Sequence, residues 1–170
     1  LDPDADTPRN KIVGREEQIQ ELTYLMKQLA EGNSAKNFIV TGDTGVGKTL
    51  ITKDVVLEDF RKKMKEERDI NLNIVYTENN KNERSVLLSI SEKLNLGYEG
   101  RSSLDTYYQL LEKKIIEDNL KVILVIDEID ELFDKGKNKD HGNSLLKSLL
   151  DKRKKIKKAE TGYLQIVGIT

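Results

Sequence analysis

The chain of 170 residues is long enough for one α/β domain with its own core and too short for two ordinary domains. Its 29 Lys and Arg residues nearly balance its 30 Asp and Glu residues, so the overall charge favours neither nucleic acid nor an acidic partner. Without cysteine the chain can form no disulfide and no thiolate metal site, and its single histidine, His141, argues against zinc chemistry.

The ends of the sequence bear on location and completeness. No apolar run approaches the roughly 18 residues of a membrane span, and the acidic start does not resemble a signal peptide. We therefore expect a cytoplasmic protein with no membrane partner. The chain begins without Met and stops at a strand-like run over 163 to 170, so we expect a fragment of a larger domain.

The first elements are a lead-in, a helix, a strand and a second helix. Both prolines fall within residues 1 to 14, which predicts an extended lead-in. Apolar residues at helical spacing predict a helix from about 16 to 31, ended by residues 32 to 34. A strand over 37 to 41 and a helix over 47 to 66 are predicted on either side of a glycine-rich turn.

This glycine-rich turn has the spacing of a phosphate-binding P-loop. Gly42 is followed by four residues and then by Gly47-Lys48-Thr49. Glycines allow backbone N–H groups to approach phosphate oxygens, while Lys48 can reach the β and γ phosphates and Thr49 can offer its hydroxyl to Mg²⁺. The following helix directs its positive dipole end at the anion. A turn that binds nothing would not need lysine and threonine at these places.

The remaining elements alternate between strands and helices. The predicted ranges are a strand over 72–77, helices over 83–94 and 103–117, a strand over 121–126, a helix over 143–154 and a strand over 163–169. Ser102, three residues before Asp105, predicts a capping box for the helix at 103. His141 is predicted in a solvated loop. The basic stretch over 152–158 is either solvated helix surface or a contact for a nucleic-acid backbone.

Two adjacent carboxylates follow the most apolar strand. The run over 121–126 is continuous and apolar, which is typical of a central parallel strand that is covered on both faces. Its end must place Asp127 and Glu128 at the carboxyl edge of the sheet, where ligands of open α/β sheets bind. This pattern predicts a Walker B motif in which Asp127 holds Mg²⁺ and Glu128 orients the water that attacks the γ phosphate.

Taken together, these motifs resemble those of AAA+ ATPases, most of all the archaeal and eukaryotic initiator group of origin-recognition-complex subunit 1 and cell-division-control protein 6. The similar stretches are residues 12 to 16, the P-loop over 41–49, and the Walker B run over 125–132. The resemblance covers nearly the whole chain from residue 12. It implies a P-loop NTPase of the AAA+ type, an α/β three-layer sandwich with a parallel central sheet, here a single core over 1–170 truncated after the fourth core strand.

The resemblance also implies a DNA replication initiator that uses ATP or ADP with Mg²⁺. Glu128 and Lys48 would be catalytic, and Thr49 and Asp127 would hold the metal. The implied nucleotide-binding residues are Ile12, Val13, Gly14, Arg15, Thr44, Gly45, Val46, Gly47, Lys48, Thr49 and Leu50. Implied partners are double-stranded origin DNA, which the helix over 83–95 would contact, other AAA+ subunits, and the replicative helicase that the complete protein would help to load. Such a protein would be nucleoid-associated in a prokaryote.

Several parts of the family's pattern lie beyond this sequence. The sensor 1 residue would come directly after a strand like 165–170, and the arginine finger, sensor 2, lid and winged-helix domain would follow. We therefore expect weak nucleotide binding and poor hydrolysis by the chain alone. Two other functions stay open. One is a signalling ATPase switch of the pathogen-sensing type, and the other is a docking module with a structural nucleotide.

Overall fold

The structure is a computed structural model, which describes residues 16–30, 36–43, 45, 47–78, 81–97, 102–133 and 141–170. The predicted lead-in over 1–14 and the predicted helix end at 32–34 lie outside these residues. The chain forms two compact units, one from residues 1–36 and 42–70 and the other from residues 37–41 and 71–170. The prediction of a single core over 1–170 stays a prediction.

The first unit is helical. It contains α1 (Glu16–Ala30), α2 (Lys48–Leu50), a π-helical segment (Ile51–Leu57) and α3 (Glu58–Arg68). Its buried apolar side chains are Leu22, Ile51, Val56, Leu57, Phe60 and Met64. The helix predicted from 47 to about 66 is present as a continuous helical run over 48–68, but it includes a π-helical segment and ends two residues later than predicted. Apolar spacing does not distinguish i→i−5 from i→i−4 hydrogen bonds, and no glycine or proline ends the helix before Asp69 adopts a left-handed φ of 52°.

The second unit is built on a parallel sheet. Its strands are β1 (Phe38–Val40), β2 (Leu72–Thr77), β3 (Lys121–Ile126) and β4 (Tyr163–Ile169). They lie in the order β1-β4-β3-β2, and every neighbouring pair is parallel. The predicted α/β class with a parallel central sheet is therefore confirmed. β1 is one residue shorter at each end than the predicted 37–41. At its start, the side-chain oxygen of Asn37 accepts the N–H of Ile166 at 2.9 Å.

Three helices cover one face of this sheet. They are α4 (Glu83–Leu94), α5 (Leu104–Glu117) and α6 (His141–Lys158), and they pack around the side chains of Val122, Leu124 and Ile126. Asn82 begins α4 through a capping box with Ser85. A 3₁₀ turn (Ile129–Phe133) follows β3 and adds Ile129 and Leu132 to the same core.

The starts of α5 and α6 and the end of α6 differ from prediction. Ser103, not Ser102, caps α5, and its hydroxyl accepts the N–H of Thr106 at 3.2 Å. The two serines are adjacent, so spacing alone could not choose between them. α6 begins at His141, which was predicted in the preceding loop, and it continues to Lys158 rather than 154. Because Ile156 continues the buried face of Leu145 and Leu149, the core keeps this last turn helical.

Gly162, which precedes β4, provides a test of this packing. Its φ is 74°, and a Cβ there would lie 2.4 Å from the carbonyl oxygen of Ile115. Gly162→Ala is expected to lower the free energy of unfolding by about 1–2 kcal/mol for the left-handed backbone and by about 1–3 kcal/mol more for the clash. Urea unfolding of the variant and the parent measures the sum.

Gly97→Ala is the matched control for this substitution. Gly97 has a similar φ of 65°, but an added Cβ there meets no described atom within 4 Å. We expect only the backbone part of the loss, about 1–2 kcal/mol. Equal losses at both positions would contradict the close contact between residue 162 and α5.

Candidate nucleotide-binding site

The phosphate loop follows β1 directly and belongs to the first unit from Gly42 onward. Gly45 and Gly47 have φ values of 80° and 82°, a left-handed conformation that L side chains rarely adopt. Added Cβ atoms would meet no described atom within 4 Å, so the backbone conformation, and not crowding, requires glycine here. The predicted site residues Thr44 and Val46 lie outside the described residues.

The side chain of Lys48 folds back over this loop. Its ammonium group donates to the carbonyl oxygens of Gly42 at 2.7 Å and Asp43 at 2.9 Å. These two contacts hold a positive charge within the turn. A phosphate group bound in the loop would therefore meet a cation that is already in place.

The helix after the loop starts without a side-chain cap. Gly47 is the N-cap residue of α2 and has no side chain that could accept a hydrogen bond from the amide groups of the first turn. Such amide groups are the usual anion ligands of a helix N-terminus. Thr49 is half-buried and Leu50 is exposed. The predicted adenine-side residues Ile12, Val13, Gly14 and Arg15 lie outside the described residues.

The two predicted carboxylates belong to the second unit and follow β3. Asp127 is buried, and its backbone N–H donates to the carbonyl of Thr77 at 2.9 Å, which extends the β2–β3 ladder by one residue. Its Oδ1 accepts the N–H of Glu128 at 3.0 Å, and its Oδ2 accepts the hydroxyl of Tyr76. Sequence reasoning missed Tyr76, because its relation to Asp127 depends on the register between β2 and β3.

Glu128 differs from its neighbour in both exposure and backbone. It is exposed, and its φ of 52° places it in the left-handed region, which few non-glycine residues occupy. The negative charge of Glu131 raises the pKa of Glu128 above its ordinary value, and desolvation and other nearby carboxylates add to the effect. A cation near this turn would meet a field of negative charge that favours its binding.

The predicted metal ligands offer donor atoms of the right kind for Mg²⁺. Asp127 supplies carboxylate oxygens and Thr49 a hydroxyl, and Mg²⁺ prefers oxygen ligands. In the part of the chain that the structure describes, no three His, Cys, Asp or Glu side chains form a metal-binding group. In nucleotide sites this ion usually keeps several waters and binds one or two carboxylates together with substrate phosphates.

The cationic side chains of α4, the helix predicted to contact DNA, make contacts within this chain. Arg84 of α4 donates to the carbonyl of Ser102 at 2.9 Å and lies over the ring of Tyr107, 5.8 Å from its centroid. Lys93, the other cation of α4, donates to the carbonyl of Tyr76. The apolar face of α4 is buried in the core. DNA contact through residues 83–95 stays a prediction.

The basic stretch over 152–158 is the C-terminal part of α6. Lys152 is buried and pairs with Glu112 of α5 at 2.7 Å, and Arg153 donates to the carbonyl of Leu164 at 3.1 Å. Lys154 pairs with Asp151 at 3.2 Å, while the later lysines are exposed at the negative end of the helix dipole. Lys152 and Arg153 therefore join α6 to its neighbours and are not solvated surface.

Comparison with known proteins places these features in a family. The model of the AAA domain matches residues 30–161. ORC1-type DNA replication protein 1 of Sulfurisphaera tokodaii is 31% identical over 160 residues, which cover 92% of this chain and 37% of that protein.

Two solved structures have a similar fold. The Aeropyrum pernix ORC2 protein, solved as ADPNP-ADP complexes, has a TM-score of 0.75 at 16% identity. The aligned region covers 99% of this chain and 43% of the ORC2 chain. The Aeropyrum pernix ORC1 protein in complex with DNA has a TM-score of 0.65 at 23% identity. The aligned region covers 94% of this chain and 39% of the ORC1 chain.

The relatives are considerably longer than this chain. The chain spans 37%, 51% and 33% of the length of three ORC1-type DNA replication proteins that it matches. No helix among the described residues is both long and apolar enough to span a membrane.

The model of the AAA domain covers most of this chain. The chain therefore belongs to the AAA domain family, and within it to the archaeal ORC1/Cdc6 group that its motifs resemble.

Proposed function

We propose that this chain is the nucleotide-binding module of a DNA replication initiator, which binds ATP with Mg²⁺ and hydrolyses it to ADP and phosphate in the complete protein. The observation that supports this most is the edge of the sheet at which β1 and β3 end. Val40 and Ile126, their last residues, pair with the adjacent residues Ile169 and Gly168 of β4. β1, which precedes the phosphate loop in the chain, and β3, which precedes Asp127, therefore end at the same edge of the sheet, where ligands of open α/β sheets bind.

In this proposal the residues of the P-loop and of the Walker B motif have different roles. The loop amides and Lys48 bind the β and γ phosphates, and residues 12–15 and Leu50 contact the rest of the nucleotide. Thr49 and Asp127 hold Mg²⁺, which when bound neutralises charge on the phosphate oxygens. Glu128 is exposed to solvent and accepts a hydrogen bond from the attacking water, which it orients toward the γ phosphate.

The DNA-directed part of the proposal depends on the relatives. The curated relatives are DNA replication proteins, and one structural neighbour was solved in complex with DNA. We propose that the complete protein binds duplex origin DNA at the nucleoid and acts there with other AAA+ subunits or a replicative helicase. These relatives favour an initiator over the signalling switch.

Gel mobility of a labelled DNA duplex tests the DNA-directed part. Titration of the complete protein at two salt concentrations should give a shift whose midpoint rises steeply with salt, because phosphate contacts release counterions. Calorimetric titration with ATP, with and without Mg²⁺, tests the nucleotide part separately. Nucleotide binding without any shift of duplex DNA would leave an AAA module but contradict the initiator function.

A further inference from the structure

The hydroxyl of Tyr76 contacts the carboxylate that is proposed to hold Mg²⁺. It donates to Oδ2 of Asp127, and both side chains are buried in the second unit. The register of the sheet explains how two residues 51 positions apart meet. Tyr76 pairs with Val125, so Asp127 lies two residues further along β3 on the same face, within reach of a tyrosine ring.

Hydrogen bonds that do not involve this hydroxyl hold the backbone around Tyr76 in place. Lys93 of α4 donates to the carbonyl of Tyr76, and the N–H of Asp127 donates to the carbonyl of Thr77. The hydroxyl of Thr77 donates to the carbonyl of Val125 at 3.2 Å. Removing the Tyr76 hydroxyl should therefore leave β2 and β3 paired and release only the carboxylate group of Asp127.

From this arrangement we propose that Tyr76 is a positioning residue for the magnesium site, an inference that rests on the proposed function. Tyr76 at Oδ2 and the Glu128 N–H at Oδ1 together fix the rotation of the Asp127 carboxylate. A carboxylate oxygen can accept more than one hydrogen bond, so this donor sets a direction without exhausting Oδ2. Groups that orient a metal ligand in this way typically contribute about 10- to 100-fold to metal affinity.

The test is Tyr76→Phe, which removes one oxygen atom and keeps the ring. Binding of a fluorescent ATP analogue is measured first in EDTA and then during a titration with Mg²⁺. The variant should bind the analogue in EDTA within about twofold of the parent, whereas its Mg²⁺ midpoint should rise about tenfold or more. A purely structural role would change both quantities or neither.

Tyr108→Phe is the matched control. The hydroxyl of Tyr108 is also buried and donates to a carboxylate of the second unit, that of Glu83 at 2.6 Å, and it takes no part in the proposed site. Its loss should leave the Mg²⁺ midpoint unchanged. Adding Tyr76→Phe to Asp127→Asn should give no further shift beyond Asp127→Asn alone, because the two residues act through one carboxylate.

The possible outcomes separate this inference from the proposed function. A Tyr76→Phe midpoint within twofold of the parent, or an equal shift in Tyr108→Phe, overturns the positioning role while the parent still binds nucleotide with Mg²⁺. A parent protein whose nucleotide binding does not respond to Mg²⁺ overturns the proposed function, and the positioning role with it.

Discussion

Replacing Lys48 with alanine is expected to weaken ATP binding about 30-fold or more. The ammonium group is held within the phosphate loop by the carbonyls of Gly42 and Asp43, where bound phosphate would meet it directly. Removing one partner of a close charge pair typically costs about 2–5 kcal/mol of binding free energy, and each 1.4 kcal/mol is about a factor of ten in affinity. Calorimetry or a fluorescent ATP analogue measures the loss.

Lys62→Ala is the control for this experiment. Lys62 is exposed on α3, so its replacement removes the same charge from the same unit without touching the loop. Its ATP affinity should stay within about twofold of the parent, since an exposed charge at a distance is largely screened by salt. Comparable losses in both variants would mean that net charge, and not the position of Lys48, governs binding.

The strands and the helix that follows β2 could be predicted almost to the residue. β2, β3 and β4 have the predicted bounds, because each is a mainly apolar segment bounded by polar or turn residues. The bounds of α4 are also as predicted, and they coincide with a local signal, the capping box of Asn82. Where the sequence itself carries the signal for an element's boundary, no tertiary information is needed.

Other features depend on contacts between distant parts of the chain. The last turn of α6 exists because Ile156 reaches the core, and Lys152 is buried because Glu112 of α5 lies opposite it. A run of lysines read alone is typical of solvated surface, so the ion pair had no local signal. The π-helical turn after the phosphate loop had no local sequence signal either.

The same distinction applies to the candidate site. The glycines and Lys48 of the loop and the two carboxylates follow from local motifs, and Gly45 and Gly47 adopt a left-handed conformation in the structure. Tyr76 could not be assigned in this way, because its contact with Asp127 requires knowing that β2 pairs with β3 and in which register. Even an accurate strand prediction leaves that register open.

Glu128→Gln is expected to lower ATP turnover by the complete protein about 100-fold or more while ATP binding is kept. A carboxylate can accept a proton from the attacking water, an amide of the same shape cannot, and such general-base assistance contributes about 10²- to 10⁴-fold. Glutamine imposes the same backbone preference as glutamate at this left-handed φ, and it relieves the repulsion by Glu131. Misfolding is therefore not an expected cause of the loss.

Glu131→Gln separates the specific role of Glu128 from the general charge of this turn. Glu131 is an exposed carboxylate in the 3₁₀ segment after β3, and it is the largest single source of the raised pKa of Glu128. Its replacement removes the same charge but should keep turnover near the parent rate in a steady-state phosphate-release assay. If Glu128→Gln hydrolysed ATP as fast as the parent, water activation would have to come from another residue. If both variants lost turnover equally, the negative field of the turn, rather than one positioned carboxylate, would be the requirement.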